Sequence, residues 1–104
     1  MTRGTLALIE LALETGTLPP KFSWGQMLNR LGEYCFFGWC GAQLGAKLGQ
    51  DNSLAGDTDL VFDVLDVTDS DLPIYHVDQI IRGSGGDPRM AVPQIMDYLR
   101  ARAS

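Results

Sequence analysis

A chain of 104 residues with a net charge of −5 is one domain by length, because either half alone would bury too little apolar surface to hold a core. Its 45% hydrophobic and 20% charged residues exclude a disordered chain. The acidic balance speaks against phosphate-backbone binding, which draws on clustered Lys and Arg. The charge is also uneven. Residues 1–50 carry four basic and three acidic side chains (+1), and residues 51–104 carry four basic and ten acidic ones (−6). Between positions 51 and 81 stand eight aspartates and no Lys or Arg, a segment suited to a solvated acidic face.

Residues 3–15 are predicted to form a helix. Arg3, Ala7, Glu10 and Glu14 share one narrow wedge, while Leu6, Leu8, Ile9, Leu11, Ala12 and Leu13 cover most of the remaining circumference. Such a helix needs burial on several sides, and its broad apolar face is a candidate for homodimerisation. Glu10 and Glu14 break the apolar runs and no small-residue cleavage site follows, so the segment does not read as a signal peptide. Gly16 is a natural stop, and Leu18-Pro19-Pro20 bars continuation. Residues 17–33, which hold Pro19, Pro20, Gly25 and Gly32, read as a loop with a short helical turn over 26–31.

Residues 34–48 read as a tightly packed central helix. Gly38, Gly41, Ala42, Gly45 and Ala46 supply small side chains, and Phe37, Cys40, Leu44 and Leu48 form a stripe. Glycine costs about 1 kcal/mol against alanine inside a helix, so three of them predict another element close to the backbone. The apolar stretch 34–42 is far shorter than the roughly 18 to 20 residues that cross a bilayer, and no membrane partner is expected. Residues 50–56 form a turn-rich connector. The stretch 57–67 suits a helix capped by Asp57 or Thr58, with Leu60, Val61, Val64 and Leu65 apolar, although its Val and Phe content would also suit a short strand. Thr68 with Asp71 resembles a capping box that opens a helix over 70–81, with Pro73 in its first turn. Residues 83–86 then read as a flexible linker, and a last helix over 92–102 has Pro93 in its first turn and Val92, Ile95, Met96 and Leu99 inward. The fold expected is mainly α: a single-domain bundle of four to five short helices around a Gly/Ala-rich central one.

Chemistry is hard to find in these residues. Cys35, Cys40 and His76 are the only cysteines and histidine, and the five-residue Cys spacing does not match a zinc knuckle. A metal- or thiol-dependent enzyme on these three is the alternative reading, and packing of two cytosolic thiols in an apolar segment is preferred. Asp57/Asp59 and Asp69/Asp71 alternate as hard-cation ligands do, without the glycine and terminal Glu of an EF-hand loop. Capping explains them better. A helix-turn-helix over the last two helices is disfavoured by a connector of about ten residues and by the neighbouring aspartates. No cofactor, no metal and no nucleic acid is therefore expected. Phe22 and Trp24, flanked by Pro and Gly in a loop, are candidate partner-binding anchors, because aromatic side chains dominate binding hot spots. Asp57, Asp59 and Asp63 are the candidate acidic contacts, and a third reading has the acidic segment 51–78 acting as a DNA mimic.

Four stretches then form a pattern: Leu11-Ala12-Leu13-Glu14-Thr15-Gly16, Tyr34-Cys35-Phe36-Phe37-Gly38-Trp39-Cys40, Val64-Leu65-Asp66-Val67 and Val92-Pro93-Gln94-Ile95-Met96-Asp97-Tyr98-Leu99. The chain resembles the small uncharacterised accessory proteins of actinobacteriophages and their prophages. It departs from them at Asp66, where that family often has Gly, and in its Gly-rich stretch at 83–86. The resemblance implies an accessory protein made in the host cytoplasm, a host or phage protein as partner, and no active site.

Overall fold

The computed structural model describes residues 1–49, 54–67 and 72–103. Five helices occupy them: α1 (Arg3–Thr15), α2 (Phe36–Gln43), α3 (Leu54–Val64), α4 (Ile74–Gly83) and α5 (Pro88–Arg102). The protein is a small all-α domain, as its hydrophobic periodicity implies. Thr68, Asp69 and Asp71, and with them the expected capping box and one aspartate pair, lie outside the described residues.

α1 keeps its expected bounds. The Thr2 hydroxyl accepts the Thr5 N–H at 3.1 Å, and the Gly16 N–H donates to the Ala12 carbonyl at 2.8 Å. Ile9 and Ala12 point into the core together with Thr5, whose Oγ1 donates to the Leu65 carbonyl at 2.9 Å. That bond joins the start of α1 to the end of α3, and it satisfies a carbonyl left over by the helix terminus.

α2 is central, packed against α1, α3 and α4. Its expected span of 34–48 contracts to eight residues, with Cys35 as N-cap, and every residue from Phe36 to Gly41 is buried. A side stripe gives way to burial on all faces. Two of the three glycines do what their cost predicts. A Cβ on Gly38 would overlap the Met27 carbonyl, and one on Gly41 would stand 2.9 Å from Cγ2 of Val61 in α3. Gly45 lies beyond the helix with φ of 106°.

α2, α3 and α4 end in the same way. In each, the N–H two residues past the last full turn reaches back five positions: Ala46 to Gly41 at 2.9 Å, Val67 to Phe62 at 2.9 Å, and Gly86 to Ile81 at 2.9 Å. The preceding residue closes a shorter bond and takes a left-handed conformation: Gly45, Asp66 (φ 57°) and Gly85 (φ 64°). This is the Schellman arrangement, which pairs the orphan carbonyls of a helix end. Residues 83–86, expected as a flexible linker, are instead a bonded helix stop. The ten-residue connector shrinks to residues 84–87, because Asp87 caps α5 by accepting the Arg89 N–H at 3.0 Å and Pro88 takes the first helical position. Pro93 consequently lies inside α5 and not in its first turn.

The expected helical turn over 26–31 is replaced by a hairpin-like loop. Leu28 bridges Tyr34 in antiparallel fashion, and the Asn29 side-chain oxygen accepts the N–H groups of Leu31 and Glu33, both at 2.9 Å. An Asx turn with Gly32 at φ of 78° outcompetes the helix, since Asn offers the backbone a local partner.

Candidate partner-binding site

The loop that connects α1 to α2 carries two aromatics two positions apart, and they go opposite ways. Phe22 is fully buried, with its ring 6.0 Å from Phe36 and 6.4 Å from Trp39 in edge-on contacts. It belongs to the aromatic core, which corrects its expected place on the surface. The cause is non-local: the Phe22 N–H donates to the Gly86 carbonyl at 2.8 Å, which holds this segment inward against the α4–α5 turn. Trp24 stays 43% exposed.

The backbone around Trp24 is pinned on both sides. The Ser23 N–H donates to Tyr34 O at 2.9 Å, and its hydroxyl donates to Glu33 O at 3.2 Å. The Gly25 N–H donates to Asp78 Oδ2 on α4 at 3.0 Å, and Gly25 itself has φ of 95°, a conformation that favours glycine. With Lys21, Ser23, Asn29 and Glu33, Trp24 lines an open recess of about 210 Å³. The Glu33 carboxylate is held there by the Asn29 amide at 3.0 Å. Burial raises the pKa of Asp78, an effect the Gly25 N–H partly offsets.

The three acidic candidates separate. Asp59 and Asp63 are exposed on α3, whereas Asp57 is only 4% exposed and accepts the Gly49 N–H at 2.7 Å. Asp57 therefore ties the preceding loop to the first turn of α3 and is unavailable as a surface contact. On α1 the one large apolar side chain that is well exposed is Leu11. The remaining leucines pack against the core, which leaves little apolar area for a homodimer through that face.

Cys35, Cys40 and His76 are placed in different settings. Cys40 is fully buried, and Cys35 is buried with its Sγ 3.3 Å from the Gly38 N–H and 3.6 Å from the Met27 sulfur. Burial pushes the Cys35 thiol up to about 12 and raises Cys40 well above the ordinary thiol range. Such thiols stay protonated and are poor nucleophiles and poor metal ligands. His76 is exposed and stacks on Tyr98, with centroids 3.8 Å apart and planes within 5°. Among the described residues no three His, Cys, Asp or Glu side chains gather in a way that could hold a metal ion. No helix among them is long and apolar enough to cross a membrane.

Sequence reasoning missed Thr5, Asp78 and Asn29, each a polar side chain whose partner lies across the fold or in a tight turn. Only Asn29 carried a local signal, in the Asn-to-Gly32 spacing typical of turns. Comparison with known proteins finds no matching family model, no matching curated protein and no matching solved structure.

Proposed function

We propose that this chain is a phage-encoded accessory protein that acts in the host cytoplasm, without catalysis, by binding a host or phage protein through the loop that carries Trp24. The observation that carries this reading is the half-exposed indole on a backbone bonded at Ser23 and Gly25 to two separate parts of the fold. A tryptophan contributes a large contact area, and a loop already fixed before binding avoids most of the ordering cost. The buried, protonated thiols support the non-enzymatic part of the reading, since the alternative enzyme needs one of them as thiolate.

The test is capture from an actinobacterial host lysate with immobilised wild type and Trp24→Ala. The variant should retain the wild-type melting temperature to within a few degrees, since its side chain is half-solvated. Wild type should recover one specific protein, and the variant should lose it by at least about tenfold, as for a hot-spot truncation of 1.4 kcal/mol or more. Equal recovery by the two proteins would refute the assignment.

A further inference from the structure

Beside the Trp24 recess lies a larger groove of about 850 Å³, between residues 17–21 on one side and residues 85–89 on the other. Lys21 lines both cavities. We infer that this groove receives an extended, acidic segment of the partner protein. The inference rests on the proposed binding role of Trp24 and names the chemistry of what is bound.

Charge carries the first part of the argument. Lys21 and Arg89 both line the groove, and neither has an ion-pair partner among the described residues. The one carboxylate in the lining, Asp87, is already engaged through Oδ1 with the Arg89 N–H at 3.0 Å. Asp87 keeps its charge in that bond, so the lining carries two cations and one anion, a net positive cleft on a protein of net charge −5. A neutral or basic occupant would desolvate both cations without return, whereas carboxylates gain from each and are steered toward them.

The backbone decides the second part. The strap over 17–21 is held at its ends, where Trp39 Nε1 donates to Thr17 O at 3.0 Å and the Phe22 N–H donates to Gly86 O at 2.8 Å. Between those anchors stand Pro19 and Pro20, which have no N–H to offer. A partner strand cannot form a ladder on such an edge. The occupant must be read by its side chains, with apolar groups against Leu18 and the proline rings and carboxylates toward Lys21 and Arg89. The volume is in the range that holds a few residues of peptide.

The test uses the full chain, labelled with nitrogen-15, and two blocked peptides: Glu-Leu-Pro-Glu-Leu-Pro-Glu and its counterpart with Lys in place of every Glu. The glutamate peptide should shift the amides of Lys21, Gly85, Gly86 and Arg89 and the Trp24 indole N–H, with weaker binding as salt rises from about 50 to about 300 mM. Lys21→Gln and Arg89→Gln, each checked for an unchanged melting temperature, should each weaken that binding about two- to fivefold. Equal binding of the lysine peptide, or no shift at the groove amides, would overturn the inference. So would shifts that grow with protein concentration without peptide, because the occupant would then be a second copy of this chain. A Trp24 indole shift without the groove amides would overturn the groove while sparing the Trp24 reading, which is judged separately by the capture experiment.

Discussion

Asp66 is the one residue other than glycine with positive φ among those described, and it sits where α2 and α4 each use Gly. A side chain in the left-handed region costs about 1–2 kcal/mol, less for Asp, which can bond locally. Asp66→Gly should therefore raise stability by about 0.5–1 kcal/mol, read from denaturant midpoints at unchanged slope. A loss of stability would mean that the aspartate side chain contributes something beyond closing the helix. The thiols yield a second expectation at this scale. Because folding raises the Cys35 pKa from 9.0 to about 12, the folded state binds the proton more tightly. Its stabilising contribution is full below pH 9 and is lost as pH rises toward 12. In the native protein neither cysteine should react with a thiol reagent between pH 7 and 9, and labelling should follow unfolding. Fast labelling of either one in the folded state would return the thiol-enzyme reading to contention.

At the scale of elements, α4 is the support on which the Trp24 loop rests, through the Asp78–Gly25 bond. Burial raises the Asp78 pKa, so the folded state pays to keep it ionised. That penalty is present above the folded pKa and fades as pH falls through the window toward the unfolded value of 3.8. Asp78→Asn keeps a carbonyl acceptor for Gly25 without the charge. The variant should be as stable as wild type or more so at pH 7, and the gap should close toward pH 4 in thermal melts. A variant that is less stable at every pH would show that the charge itself, in its field of donors, holds the loop. The three Schellman ends also explain which boundaries were legible. Of these, only the glycines at 83–86 announce a stop locally, as Gly16 does for α1; Gly45 reads as helix interior, and the start of α5 reads too late because Val92-Pro93 imitates a first turn as well as Asp87-Pro88 does. The capping bond from Arg89 to Asp87 decides between them, and a sequence pattern does not contain it.

For the whole molecule, the existence of the helices and the centrality of α2 follow from periodicity and from glycine cost, both local properties. The assignment of Phe22 and Trp24 does not. In an extended segment, residues two apart share one side, so both aromatics read as equivalent. Bonds to Gly86 and Asp78 in distant parts of the chain, and to Tyr34 at the far end of the same loop, turn one ring into the core and leave the other at the surface. A separate bond, from the Gly49 N–H, holds Asp57 inward, while Asp59 and Asp63 stay outside. What results is a buried aromatic centre, an acidic α3, and a face that carries Trp24, Lys21 and Arg89. Hydrogen–deuterium exchange on the complex with the captured partner tests that division directly. Protection gained on binding should fall on residues 17–34 and 84–90, with α1 and α3 exchanging as in the free protein; protection centred on α3 or on the exposed face of α1, with residues 17–34 unchanged, would contradict it.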